Sequence, residues 1–369
     1  MTLLAAWTHS LDPFVFRISG DFGIRWYGLA YVTGFAAAWW LLTMMARRSL
    51  ILLKPEQVAD VLLSVVLGVL VGGRLGYVLV YDPSLLGFRS TFPFWGVFAV
   101  WQGGMASHGG MVGIIVACLW QARRCRVPAL HLMDCFAFVA PVGVFMGRLA
   151  NFINGELLGK IAVQPAEAAA ASTLPWWGVR FPQELVERPH ESQLTQTQRD
   201  ELAQLLASID PTGSHAASGG GLEWMRDAAR VAIDRIQHGD KALAEALSPY
   251  LSIRHPSQLY QAAVEGLVLG GILAIIWARP RRPGVILGWF FIIYGVGRIA
   301  TEFWRLPDAQ FDDPRPWGLS RGQWLSAVMV VAGVAVLGWV WVRAKPMLVG
   351  GWATHSHAGA SKRRTATTL

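Results

Sequence analysis

Seven stretches of about 20 residues with almost no charge constrain this chain more than any other feature of its sequence. They lie at 25–46, 58–80, 95–120, 130–151, 257–278, 284–304 and 322–343. A helix of this length crosses the hydrocarbon core of a bilayer, and lipid offers no hydrogen-bond partner to an unfolded backbone. The predicted fold class is therefore an all-α integral membrane protein, built as a bundle of seven transmembrane helices.

The composition agrees with a single integral domain over residues 1–369. Only 15% of the residues are charged, against about 25% in soluble domains. The net charge of +8 does not predict a nucleic-acid partner, because the positive residues form short clusters beside the apolar stretches. The first long apolar run begins near Trp26 without a basic region before it, so a cleavable signal peptide is not expected.

The distribution of lysine and arginine predicts the orientation. The connections after the first, third and fifth stretches are the most basic, and the tail 344–369 is basic as well. Because positive loops stay on the cytoplasmic side, the N-terminus is expected in the periplasm and the C-terminus in the cytoplasm. The clusters contain Arg47, Arg48 and Lys54; Arg123, Arg124 and Arg126; and Arg279, Arg281 and Arg282.

Residues 160–255 form the long connection between the fourth and fifth stretches, which this topology puts in the periplasm. An amphipathic run near 223–247 predicts that the connection is a folded arm with helices of its own.

Glycines recur at four-residue steps, a pattern that predicts close packing of helices in lipid. The pattern does not indicate a catalytic or binding role for these glycines. The series are Gly68, Gly72 and Gly76; Gly109 and Gly113; Gly143 and Gly147; Gly266 and Gly270; and Gly284 and Gly288.

Ionisable side chains inside the apolar stretches are the candidate functional residues, because they are costly in a bilayer. Arg74, His108 and Arg148 lie in the second, third and fourth stretches. Arg298 and Glu302 lie in the sixth, one helical turn apart. On the predicted topology these groups all fall in the outer half of the bundle, which predicts a polar cavity facing the outer leaflet.

Structural alternatives exist for most of these candidates. Arg298 and Glu302 could form only an ion pair, and Arg74 could extend to the membrane interface. His108 could be a helix-contact residue, and the polar residues Asn154 and Glu156 could cap a helix end.

Several arginines around one cavity suit a phosphate, whose oxygens accept paired hydrogen bonds from a guanidinium group. The sequence has no carboxylate cluster for a divalent metal, no phosphate-binding glycine loop and no dinucleotide fingerprint. Cys118, Cys125 and Cys135 lack metal-ligand spacing and predict neither a metal site nor a disulfide. We therefore expect no metal and no cofactor. An enzyme acting on an anionic lipid is favoured over a transporter of an anionic solute, whose polar residues would occupy both halves of the membrane, and over a structural scaffold.

The same segments resemble the prolipoprotein diacylglyceryl transferase family. The most specific are Gly-Arg-x-x-Asn-Phe-Ile-Asn-Gly-Glu at 147–156 and Arg-His-Pro-Ser-Gln-Leu-Tyr at 254–260. Matching stretches also occur at 25–28, 72–77, 103–113 and 294–310. One departure is the arm, which looks longer than usual in the family.

The resemblance implies an enzyme of the bacterial inner membrane whose substrate is phosphatidylglycerol. Its other expected partners are the surrounding membrane lipids. It would transfer the diacylglyceryl group to the lipobox cysteine of a prolipoprotein signal peptide and release glycerol 1-phosphate. Arg148 would be the main phosphate contact, Arg298 a second essential arginine, and His108 a catalytic histidine that acts as a base or orients the lipid. The other implied phosphatidylglycerol-binding residues are Tyr27, Asn151, Asn154, Glu156, Gly159, His255, Tyr294 and Glu302.

Overall fold

The computed structural model describes residues 6–19, 22–88, 92, 94–99, 103–209, 221–306, 318–343 and 347–352. The chain divides into two units. The first unit contains Met1–Gly34, Val142–Val268 and Tyr294–Val328, and the second contains Phe35–Pro141, Leu269–Ile293 and Met329–Leu369. Most of the predicted basic tail 344–369 lies outside the described residues.

Helices dominate the described residues. In chain order they are Trp26–Arg47 (α1), Pro55–Val80 (α2), Ser107–Cys125 (α3), Ala129–Asn154 (α4), Pro165–Ala170 (α5), Glu184–Glu187 (α6), Gln196–Ile209 (α7), Gly221–Gln237 (α8), Lys241–Leu247 (α9), Ser257–Trp277 (α10), Val285–Thr301 (α11) and Arg321–Arg343 (α12). Five of them, α1, α2, α4, α10 and α12, are long and apolar enough to cross a membrane, and α11 is a shorter apolar helix. The chain is therefore a mostly helical, multi-pass membrane protein.

Each predicted span overlaps one of these helices, but the predicted start of the third span near residue 95 is wrong. Helix α3 begins at Ser107 and is not among the five long apolar helices. Gly103 and Gly104 precede it with φ angles of 82° and 83°, a left-handed conformation that a right-handed helix cannot contain. The count of seven spans stays a prediction.

Arg74 explains the shape of the segment before α3, within the second unit. Its side chain is buried, and its guanidinium group donates to Gly96 O at 2.7 Å and to Gly103 O at 2.6 Å. It also donates to the carbonyl oxygens of Val97, Ala99 and Gly104. The expectation that Arg74 faces a phosphate cavity is wrong, because its three guanidinium nitrogens all bind the backbone of the segment before α3. The alternative that it extends to the membrane interface stays a prediction.

Helices α2 and α3 of the second unit pack through two glycine series, as the sequence predicts. A Cβ atom on Gly72 would lie 3.0 Å from the Cα of Gly113, and one on Gly76 would lie 2.8 Å from the Cα of Gly109. A Cβ on Gly68 would also meet the backbone of Gly113. The spacing of four residues thus creates a contact between two backbones. At Gly147, by contrast, a Cβ would meet nothing within 4 Å.

The first unit also contains short strands that an all-α prediction omits. They are Trp7–Thr8 (β1), Phe14–Ser19 (β2), Phe22–Arg25 (β3), Ile161–Val163 (β4), Val179–Arg180 (β5) and Ile253–Arg254 (β6). Strands β2 and β3 form an antiparallel hairpin, and the other four form a sheet in the order β1-β5-β6-β4. Strand β6 pairs antiparallel with β4 and β5, so the sheet joins the start and the end of the arm.

The arm has a hydrophobic core of its own. The amphipathic run predicted near 223–247 is confirmed as α8 and α9, which pack with α7 around apolar side chains. The buried residues of this core include Leu202, Leu206, Ala232, Ile236 and Leu247.

Arg254 anchors the arm. It is completely buried and forms a 2.5 Å ion pair with Glu184 and a 3.2 Å ion pair with Glu191. It also donates to the carbonyl oxygen of Gly159 at 3.1 Å. Burial raises the pKa of Glu184, and the positive charge of Arg254 opposes that rise. The arginine of the 254–260 motif therefore holds the arm together.

Candidate functional site

The candidate site of the first unit lies toward the ends of three apolar helices, next to the points where the arm leaves and returns. Arg148 lies near the end of α4, and the arm follows it. Arg298 lies near the end of α11, and Glu265 lies in the first half of α10, shortly after the arm ends. The sequence predicted that Arg148 and Arg298 would share one site, and both contact the same carboxylate, that of Glu265.

Arg148 binds Glu265 through two nitrogen atoms. Its Nε and Nη2 atoms donate to Oε2 of Glu265 at 3.2 and 3.0 Å. A further side-chain hydrogen bond joins Arg148 to Tyr294, another predicted site residue. Glu265 itself is fully buried. A guanidinium group carries five N–H donors. Arg148 uses two of them to bind Glu265, so other donors remain for a second anion.

Arg298 lies between two carboxylates. Its Nη1 atom is 3.1 Å from Oε2 of Glu302 and 3.8 Å from Oε1 of Glu265. The predicted pair of Arg298 and Glu302 is thus confirmed. Arg305 contacts the same oxygen of Glu302, with its Nη1 atom 3.6 Å from Oε2. Ser320 donates to the remaining oxygen of Glu302 at 3.0 Å.

Glu156 lies just beyond the end of α4 and contacts two other predicted site residues. With its amide nitrogen turned toward Glu156, Asn151 donates to Oε1 of that residue at 3.0 Å and to the carbonyl oxygen of Gly147 at 3.2 Å. Asn154 donates to the same Oε1 at 3.4 Å. Burial raises the pKa of Glu156, and the bond from Asn154 opposes the rise. Tyr27 lies on α1, where its ring packs against Tyr31 with 5.1 Å between ring centroids.

Gly159 and His255 meet where the arm returns to the helices. A Cβ atom on Gly159 would collide with the carbonyl oxygen of His255, so only glycine fits this backbone approach. The His255 ring stacks on Trp177 with 4.6 Å between ring centroids, and its Nδ1 atom lies 3.5 Å from the Tyr260 hydroxyl. Burial lowers the pKa of His255, and Lys160 adds to that effect.

His108 belongs to the second unit. It is the second residue of α3 and is exposed there. Its catalytic role stays a prediction.

The five charges from Arg148 to Arg305 alternate in sign, and together the three arginines and two glutamates carry a net charge of +1. Such a set can hold a singly charged anion through charge-assisted hydrogen bonds. Among the described residues no group of three His, Cys, Asp or Glu side chains could hold a metal ion.

Comparison with known sequences identifies the family. The family model described as Prolipoprotein diacylglyceryl transferase matches residues 13–339. The chain belongs to this family. The match includes every residue of the candidate site as well as His108.

Bacterial relatives in the prolipoprotein diacylglyceryl transferase family resemble the chain over nearly its whole length. Three named phosphatidylglycerol–prolipoprotein diacylglyceryl transferase illustrate this. The relative from Bdellovibrio bacteriovorus is 44% identical over 361 residues, covering 93% of this chain and 96% of its own. The one from Rhodospirillum rubrum is 36% identical over 347 residues, with the same two coverages. The one from Geobacter sulfurreducens is 34% identical over 331 residues, covering 88% and 94%.

The sequence analysis did not predict three residues of this site: Glu265, Thr301 and Arg305. Glu265 gave a usable signal, because it is an ionisable residue inside the predicted fifth span and such residues are functional candidates by default. Thr301, whose hydroxyl donates to Oε1 of Glu265 at 3.3 Å, gave none.

Proposed function

We propose that this protein transfers the diacylglyceryl group of phosphatidylglycerol to the lipobox cysteine of prolipoproteins. Membership of the family and the names of relatives up to 44% identical support this function. The products are a thioether-linked diacylglyceryl cysteine and glycerol 1-phosphate.

The arrangement of Arg148 and Arg298 is the observation that carries this function. Both arginines share one buried carboxylate, and the charge of the set is +1 with Glu302 and Arg305 included. The phosphodiester of phosphatidylglycerol carries one negative charge, which equals the net positive charge of these five side chains. Guanidinium groups also match the geometry of phosphate oxygens better than ammonium groups do.

The reaction is a displacement at the terminal carbon of the diacylglyceryl group. The cysteine thiol loses its proton to a base, and the thiolate forms a carbon–sulfur bond. The bond between that carbon and the phosphate oxygen breaks, and its electrons leave with glycerol phosphate. Arg148 and Arg298 stabilise the charge that collects on the leaving phosphate.

His108 is the proposed base, because a neutral imidazole nitrogen can accept the proton of a thiol. Its alternative role is to orient the lipid. The residues around the arginines bind the rest of the head group in this proposal: Tyr27, Asn151, Asn154, Glu156, Gly159, His255, Tyr294 and Glu302.

The proposed topology has seven spans, with α3 and α11 added to the five long apolar helices. The N-terminus and the arm at 160–255 lie in the periplasm, and the tail 344–369 lies in the cytoplasm. This orientation rests on the basic clusters of the connections. It opens the site to the outer leaflet of the bacterial inner membrane, where the arm selects among prolipoproteins.

The decisive experiment incubates purified protein with phosphatidylglycerol and a lipobox peptide and then measures the peptide mass. We expect a gain of one diacylglyceryl group, no gain when the peptide cysteine is replaced by serine, and the same rate in the presence of a chelator. An unmodified peptide, with lipid binding by the protein confirmed, would exclude the transferase function. Movement of an anionic solute across proteoliposomes would then favour the transporter.

A further inference from the structure

Glu265 connects the two arginines of the site. Its carboxylate is fully buried and accepts two hydrogen bonds from Arg148 on one oxygen, while the other oxygen accepts from Thr301 and lies 3.8 Å from Arg298. Two of the five N–H donors of Arg148 are thus committed to Glu265. Glu265 is therefore the one carboxylate that contacts both arginines, alongside Glu302 at Arg298 and Tyr294 at Arg148.

A local change in helix geometry brings Glu265 to this position. Residues Ala262–Val268 of α10 form a π-helical segment, a feature that is rare and is often found at functional sites. The next residue, Gly266, packs against α4, and a Cβ atom there would lie 2.6 Å from the Cβ of Phe145. The missing side chain lets α10 approach α4 closely, so the carboxylate of Glu265 reaches Arg148.

Glu265 is also the second member of an alternating series of charges. The series runs Arg148, Glu265, Arg298, Glu302 and Arg305, with nitrogen–oxygen distances of 3.0, 3.8, 3.1 and 3.6 Å between neighbours. With Glu265 the series has a net charge of +1, which matches the single charge of a phosphodiester. Without it the charge is +2, which matches a phosphate monoester, since that group carries about −1.5 to −2 at neutral pH.

We propose that Glu265 is a positioning residue for the transfer reaction: it fixes Arg148 and Arg298 for the lipid phosphate and keeps the site from retaining glycerol phosphate. This inference rests on the proposed function. When the carbon–oxygen bond breaks, the phosphate gains negative charge that the arginines attract. The negative charge of Glu265 weakens that attraction enough for the product to leave and the next lipid to bind.

The test uses Glu265→Gln, which keeps the shape of the side chain and removes its charge. We expect turnover to fall about a hundred-fold, the typical effect of losing one oriented donor at a developing charge. We also expect inhibition by glycerol 1-phosphate to strengthen about tenfold, because a unit charge a few ångströms away is only partly screened in a protein. A purely structural residue would leave the inhibition unchanged.

Two control variants separate the roles. Glu184→Gln removes a buried carboxylate from an arginine of the arm, and we expect it to lower the melting temperature without strengthening inhibition by glycerol 1-phosphate. Glu265→Asp keeps the charge but shortens the side chain, and we expect weakened turnover with inhibition near that of the unchanged protein. If Glu265→Gln does not fold, the aspartate variant decides: full turnover there would contradict the positioning role.

A thermal-shift titration with glycerol 1-phosphate gives a measurement that does not depend on turnover. We expect the product to raise the melting temperature of Glu265→Gln at lower concentration than that of the unchanged protein. Equal titration curves, or equal turnover and inhibition of the two proteins, would overturn the inference. Absence of peptide modification by the unchanged protein would instead exclude the proposed function, whatever the titrations give.

Discussion

Replacing Arg148 and Arg298 singly by lysine tests whether these residues bind phosphate or only stabilise the helices. Lysine keeps the positive charge but has a compact ammonium group that cannot reproduce two parallel hydrogen bonds. In Arg148 the Nε and Nη2 atoms both bind Glu265, at 3.2 and 3.0 Å, and lysine can keep only one of these bonds.

The expected loss of activity exceeds the expected loss of stability. One charge-assisted hydrogen bond contributes about 1.5–3 kcal/mol to the free energy of unfolding. The ammonium group of lysine retains part of this stabilisation in each variant. Loss of an oriented donor at a developing charge costs about 3–4 kcal/mol of transition-state stabilisation, a rate reduction of roughly a hundred- to a thousand-fold. Both variants should therefore remain folded in the membrane and lose most of their activity.

The assay measures turnover with phosphatidylglycerol and a lipobox peptide, together with the melting temperature in detergent. Arg254→Lys is the matched control, because Arg254 is a buried arginine that binds Glu184 and Glu191 in the arm. We expect this control to lower the melting temperature while keeping turnover in the folded fraction. Near-normal turnover in both site variants would refute the phosphate role, and a melting temperature that falls in step with turnover would return both residues to a structural role.

The arm and the topology offer three more tests. Arg254→Ala leaves the carboxylate of Glu184 buried without its cation, so we expect a loss of about 3–5 kcal/mol in stability. The loss should appear as a lower melting temperature, and an unchanged melting temperature would contradict the anchoring role of Arg254. Replacing residues 196–247 by a short linker removes α7, α8 and α9 with their shared core, and it should alter the preference among prolipoproteins more than transfer to a simple lipobox peptide. Complete loss of transfer in a folded deletion would show that the arm takes part in the chemistry. In a cysteine-free background, an external thiol reagent should label a cysteine at 200 and not one at 124, and the opposite pattern would invert the proposed topology.

The sequence predicted the helices well because the signal for a membrane helix is local. A run of apolar residues needs no information from distant parts of the chain to favour a helix in lipid. The third span shows the limit of such reasoning. Hydropathy could not reveal that Arg74 would bind the carbonyl oxygens before α3, a contact that joins residues more than 20 positions apart.

The strands were missed for a related reason. Strands β5 and β6 have only two residues each, and their pairing joins Arg180 to Ile253 across the whole arm. A pattern of alternating apolar residues cannot be recognised over two positions. Short strands of this kind form only because the folded arm brings them together.

For the site, the sequence by itself determined which arginines were unusual, because Arg148 and Arg298 are arginines in stretches that contain very little other charge. It also gave the family resemblance, which depends on short motifs. The tertiary structure alone decided which partners these arginines have. Glu265 reaches Arg148 from a position 117 residues away, through a π-helical segment and a glycine contact with α4. Such pairing depends on how the helices pack against one another. The free energy of burying a charge depends on residues that are close in space but distant in sequence, and local sequence patterns do not reveal them.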